Sequence, residues 1–172
     1  MHHSMKRRNF VRLASAAGLT TIAFPFAQCR PKPNKSNEAN GQPAFEFAEM
    51  TVAEMQQRMK DGTLTAQKLT QAYLDQIAAL DKKGPKINAI IELNPDALSI
   101  AEAMDQERKS GKVRGPMHGI PILIKDNINT ADKMQTTAGS LALTGNVASA
   151  DAFVVKKLRD AGAVILGKTN LS

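Results

Sequence analysis

The group in this 172-residue sequence best placed for chemistry is a lysine at the end of an apolar run. The run is Ile120-Pro121-Ile122-Leu123-Ile124, it opens after Gly119, and it leads directly into Lys125-Asp126-Asn127. Apolar positions at Ile120 and at Ile122, Leu123 and Ile124, with no polar alternation, predict a buried strand, with Pro121 at its start. Lys125 then stands where that strand emerges, the end of an α/β sheet at which sites are built. Desolvation disfavours the ammonium form of a lysine, so an amine in that position can act as a proton acceptor. The same Lys-Asp-Asn is also compatible with ordinary solvated turn chemistry. Downstream, Thr136-Thr137-Ala138-Gly139-Ser140 is small, polar and suited to a loop that brings backbone close to a substrate, although a structural turn would use the same residues. Ser140 has no histidine beside it and is not read as a nucleophile.

The segment Gly119-Ile120-Pro121-Ile122-Leu123-Ile124-Lys125-Asp126-Asn127-Ile128 resembles the opening of the amidase signature, a G-[IV]-P-hydrophobic-x-[IV]-K-D-x-[IVL] pattern. The resemblance continues through residues 136–140, Asp151-Ala152, Val155, and the run from Leu158 to Asn170. It implies a hydrolase of amides in which a Ser-Ser-Lys arrangement replaces Ser-His-Asp. Lys125 falls on the family's lysine, the base that deprotonates a bridging serine held on a cis peptide. This serine in turn activates the nucleophilic one. The resemblance also places the 136–140 loop near the active centre, which makes Gly139 and Ser140 candidate substrate-binding residues. The two serines of the family lie in a Gly/Ser-rich loop of the G-G-S-S-G-G-S kind, and no such loop occurs in these 172 residues. The chain therefore reads as the N-terminal portion of such an enzyme, expected to be inactive by itself. Expressed alone, residues 45–172 are expected to show poor solubility or low native order, because strands meant for a sheet interior would become edges.

Gly162-Ala163-Val164-Ile165-Leu166-Gly167-Lys168-Thr169 literally satisfies the phosphate-loop pattern G-x-x-x-x-G-K-[ST]. A phosphate cradle needs its intervening residues curled between a strand and a helix, whereas Ala-Val-Ile-Leu after a helix should itself be a strand. Nucleotide binding is excluded on that ground. His118 is the sole histidine of the chain's body, and with no matched cysteines or carboxylates it makes no metal site. It reads as a turn residue beside Gly119. No metal or cofactor is expected.

The supporting elements follow from local signals. Thr51-Val52-Ala53-Glu54 fits a capping box that opens a helix running to about Lys60. Thr65 caps a longer helix whose Leu69, Tyr73, Ile77 and Leu80 share one face, and Gly84-Pro85 stops it. A short strand is expected within Ile87 to Leu93, then a third helix with Asn94 as N-cap, Pro95 at its first position, Leu98, Ala101 and Met104 inward, and Gly111 at its end. Glu102, Asp105, Glu107 and Arg108 read as its wet face. Asp151 reads as the N-cap of a fourth helix, closed by Gly162 and followed by the buried strand from Ala163 to Leu166. A helix leading into a buried strand is a parallel crossover flanking the strand that ends at Lys125. The fold class is α/β: a helical lead-in followed by part of a mixed sheet flanked by helices.

The net charge of +7 is concentrated at one end. Lys6, Arg7, Arg8, Arg12, Arg30, Lys32 and Lys35 fall within the first 35 residues, which hold no acid, and the remaining 16 bases balance 16 acids. That distribution, without aromatic interleaving, argues against nucleic acid as a partner. Lys6 to Arg12 resembles a twin-arginine export motif and Leu13 to Ala27 a modest apolar core, too short and too interrupted by Gly18 and Pro25 for a comfortable membrane span. Met5 is a candidate start. Cys29 is the only cysteine, so no internal disulfide forms. Its position directly after the apolar segment makes it a candidate lipidation site, although Gln28 departs from the small residue expected before an acylated cysteine, and an inert thiol fits equally. The expected organisation is a signal peptide over 1–28, a polar, proline-punctuated linker over 29–44, and the amidase-like part over 45–172. The expected protein is exported, periplasmic or anchored as a lipoprotein, meets the membrane only through its signal or lipid, and acts on a small-molecule amide. Two other readings stay open. One is a non-catalytic amidase-like binding protein. The other is a relative of the ATP-dependent amidotransferase of the same family, which acts in the cytoplasm on charged transfer RNA and against which the export signal speaks.

Overall fold

The computed structural model describes residues 45–171, so the expected signal peptide, Cys29 and the expected linker lie outside the described residues, as does Ser172. The order is α1 (Val52–Lys60), α2 (Ala66–Gln76) continued by a π-helical segment (Ile77–Lys83), β1 (Ile90–Leu93), α3 (Ala97–Lys109), β2 (Pro121–Lys125), a 3-10 turn (Leu141–Leu143), α4 (Phe153–Asp160) and β3 (Val164–Thr169). Among the described residues the strands form one mixed sheet in the order β1-β3-β2. β3 is its centre, antiparallel to β1 and parallel to β2. The β2-α4-β3 unit is the parallel crossover expected from the sequence.

Each face of β3 takes its own cover. Val164 and Leu166 join Met55, Met59, Leu69, Ala101 and Met104 in a core built with α1, α2 and α3. Ile165 turns to the other side, with Ile124, Met134 and Val155, where α4 and the loop before it close the layer. That two-sided burial explains why β3 reads as a continuous apolar run. β2 departs from the expectation of full burial: Leu123 is 36% exposed and only Ile124 is buried, because β2 is an outer strand of the described sheet. α1 opens on the capping box, Thr51 accepting from the Glu54 N–H and Glu54 accepting from the Thr51 N–H.

Several polar residues do more than local reading assigned to them. Asp105 is buried, not part of a wet face, because its two carboxylate oxygens accept from the Ala66 and Gln67 N–H groups at 2.7 and 3.0 Å. It thus satisfies the orphan donors of α2 from across the helix pair, next to the positive end of that helix dipole. Arg108 beside it is half-buried and donates to Gln56 Oε1 and to the His118 carbonyl. Asn94 does not cap α3, which begins at Ala97 after a turn; its side-chain amide donates instead to the Ile165 carbonyl and pins β1 to β3. His118 lies in a turn beside Gly119, as expected, and is fully buried there, with Nε2 2.9 Å from the Met104 carbonyl and Nδ1 accepting from the Arg114 N–H. This arrangement requires the neutral Nε2–H tautomer.

Candidate active site

Lys125 is the last residue of β2 and is half-buried. In the parallel register it pairs with Thr169, while Ile124 pairs with Lys168. Side chains alternate along a strand, so Lys125 and Thr169 share one face of the sheet and Ile124 and Lys168 the other. Two backbone bonds hold the lysine's main chain beyond the strand: the Ile128 N–H donates to the Lys125 carbonyl at 3.0 Å, and the Asp126 N–H to the Thr169 carbonyl at 3.0 Å.

Asp126, the next residue, is fully buried. Its Oδ2 accepts from the Thr137 N–H (3.2 Å), the Thr137 hydroxyl and the Gly139 N–H (3.4 Å). Its carbonyl accepts from the Ala138 N–H at 3.3 Å. The loop can curl around this carboxylate because Ala138 and Gly139 both sit in the left-handed region, at φ 50° and 70°. Successive N–H groups then converge on one anion. Gly139 and Ser140, the candidate substrate contacts, are exposed on the rim of that curl, and Asp126 joins their loop to the strand carrying Lys125.

Lys168 enters the sequence reading only within the rejected phosphate loop and the Leu158 to Asn170 run of the family resemblance, with no role assigned to it, and β3 indeed forms a strand there, through to Thr169. It is fully buried and its Nζ donates to the Ile128 carbonyl at 2.8 Å and to Thr136 Oγ1 at 3.0 Å. Burial pulls its pKa below the ordinary lysine value; the charges of Asp126, Asp132 and Glu92 oppose that shift, and Arg159 adds to it. A lysine at the end of an interior apolar strand was the available signal. Because the unfolded chain binds this proton more tightly than the folded one, the charged amine costs stability, and that cost is relieved as pH rises from the depressed value to the ordinary 10.5. Unfolding free energies of the wild type and Lys168→Met, measured from neutral pH to that limit, should show the wild type gaining on the variant as pH rises. A constant difference would remove the burial penalty from the account.

Asp151 does not cap α4, whose N-cap is Ala152. Its carboxylate accepts from the Ala131 N–H at 2.7 Å and from Arg159 Nε at 3.0 Å, and Arg159 also donates to Asp132. These bonds fasten the loop between β2 and α4. Among the described residues no cluster of three His, Cys, Asp or Glu side chains is placed to hold a metal, and no helix is long and apolar enough to cross a membrane.

The amidase family model matches residues 68–172, a stretch that includes Lys125, Asp126, the 136–140 loop and Lys168. The chain belongs to the amidase family. The structure of a peptide amidase from Stenotrophomonas maltophilia is 60% identical and superposes with a TM-score of 0.72, covering 74% of this chain and 26% of that one. A Schizosaccharomyces pombe protein classed as an amidase is 48% identical over 122 residues, 71% of this chain and 20% of its own length. One component of the glutamyl-tRNA(Gln) amidotransferase of Thermobifida fusca is 43% identical over 127 residues, 73% of this chain and 25% of its own. This amidase-family chain thus spans about a fifth to a quarter of the length of the relatives it matches, and the mixed α/β fold is like that of the peptide amidase.

Proposed function

We propose that this chain supplies the proton-accepting lysine, Lys125, of an enzyme that hydrolyses carboxylic amides. The observation that carries the reading is the joint placement of Lys125 at the carboxyl end of β2 and of the 136–140 loop held against its neighbour Asp126. In its amine form Lys125 takes a proton from a relay serine, which takes one from the nucleophilic serine as that oxygen attacks the amide carbonyl. The leaving amine departs with a returned proton, and water then cleaves the acyl-enzyme. Backbone N–H groups steady the tetrahedral oxyanion. Both serines belong to a Gly/Ser-rich loop that these 172 residues do not include, so the activity resides in a protein joining this chain to such a loop, and the chain by itself is expected to be inactive.

The likeness to a peptide amidase makes peptide amides the first substrates to try. Release of ammonia from a C-terminally amidated peptide, by the protein carrying both parts and without added nucleotide, is the expected result. Amide transfer that requires a nucleotide and further protein components would instead favour the amidotransferase reading, which the 43% identity to the Thermobifida fusca protein keeps in view. Binding of amidated peptides without turnover would favour the non-catalytic one.

A further inference from the structure

A lysine is almost never fully buried unless something in the protein uses its charge or its donors. At position 168 stability gives little reason for one. The site lies on the side of the sheet that carries Ile124, Met134 and Val155, in register with Ile124, where taking a charge out of water is costly. What an apolar residue lacks is a charge facing Asp126, Asp132 and Glu92 and the pair of bonds the amine makes, and both acceptors of those bonds belong to segments flanking Lys125. One is the carbonyl of Ile128, whose own N–H closes the turn onto the Lys125 carbonyl. The other is the hydroxyl of Thr136, the first residue of the loop that Asp126 grips at Thr137 and Gly139. Thr136 is itself locked further on, donating its N–H to the Asn146 carbonyl and accepting from the Asn146 side chain.

We propose that Lys168 is a positioning residue: a buried cation that ties the turn following Lys125 and the 136–140 loop into one unit, fixing the direction of the Lys125 side chain relative to the substrate. The two segments are held from both signs of charge, by Lys168 at Ile128 and Thr136 and by Asp126 at Thr137 and Gly139. The inference rests on the reading of Lys125 as the base, and its test keeps the two apart.

In the protein that also carries the serine loop, backbone hydrogen exchange at Ile128, Thr137 and Gly139 should accelerate at least about tenfold in Lys168→Met while Val164 and Leu166 keep their protection. In that protein the same substitution should lower kcat by about a hundredfold, the scale on which a small misplacement acts, measured well below the variant's Tm where it is fully folded. Unchanged exchange at the three loop amides, or kcat within about twofold of wild type in the folded variant, overturns the proposal. A merely structural role would lower Tm and leave the kcat of the folded enzyme alone, which also overturns it. If Lys168→Met does not fold, Thr136→Val removes only the acceptor and should reproduce the exchange and kcat effects, with Thr136→Ser restoring both; a Thr136→Val variant like wild type counts against the role. Hydrolysis that survives Lys125→Ala refutes the base and leaves the exchange result to be judged separately.

Discussion

Replacing Lys125 with alanine is expected to lower amide hydrolysis by about a thousandfold or more, the scale of a lost general base. The expectation follows from where the residue stands. β2 delivers it at the carboxyl end of the sheet, two backbone bonds fix the chain beyond it, and the loop carrying Gly139 and Ser140 is clamped to the next residue. Because Lys125 belongs to neither apolar core, the loss should appear in the kcat of the folded variant. Lys125→Arg makes the sharper control: it keeps a cation on a long stem but does not give up its proton in the working range, and it should be nearly as inactive as alanine. Activity in the arginine variant comparable to wild type would mean that position 125 contributes charge alone and that the proton acceptor is elsewhere.

The largest loss of stability is expected at Gly167. This residue sits in the middle of the central strand, opposite Leu93 of β1 and next to the register shift between β2 and β3. A methyl group there would overlap the Glu92 carbonyl oxygen and lie 3.1 Å from Leu93 Cα, and both are backbone atoms that cannot swing aside. β1 would have to move away from β3, breaking the ladder and displacing Glu92, whose carboxylate accepts from the Gln135 N–H at 2.8 Å. Gly167→Ala should therefore destabilise by about 3 kcal/mol, the upper range of overpacking, and lower Tm by about 10 °C. Gly62→Ala is the matched comparison: its φ of +73° strains an alanine, yet a methyl there meets nothing within 4 Å. That cost should stay near about 1 kcal/mol. Equal melting temperatures for the two variants would show that β1 approaches β3 more loosely than these contacts require. Gly167, the second glycine of the phosphate-loop pattern, is thus expected to serve strand packing.

Local sequence carried much of this architecture because its signals act over one turn of helix or one stretch of strand. The Thr51–Glu54 capping box is complete within four residues, and the two bonds it announces are the ones formed. The strand ending at Lys125, the loop at 136–140, the helix after Asp151 and the apolar strand that follows were legible for the same reason, and the resemblance of those motifs supplied the family. Where local reading went astray, the deciding partner lay far along the chain. Asp105 looked like a wet-face carboxylate because its partners, the free N–H groups of α2, lie about forty residues earlier. Asn94 looked like a helix cap because the carbonyl it bonds is 71 residues away.

Sequence alone determined that a lysine would end an apolar strand and that a small, polar loop would follow it, since periodicity and residue type are properties of neighbours; that the loop lies near the lysine was implied by the family resemblance. Only the tertiary structure decided how these parts are held. The grip of Asp126 on Thr137 and Gly139 and the reach of Lys168 to Ile128 and Thr136 arise from the pairing of β2 with β3 and from the path of the intervening loop. A buried charge finds its partners through three-dimensional closeness, and pairing that brings residue 168 beside residue 124 has no counterpart in any local run of the chain.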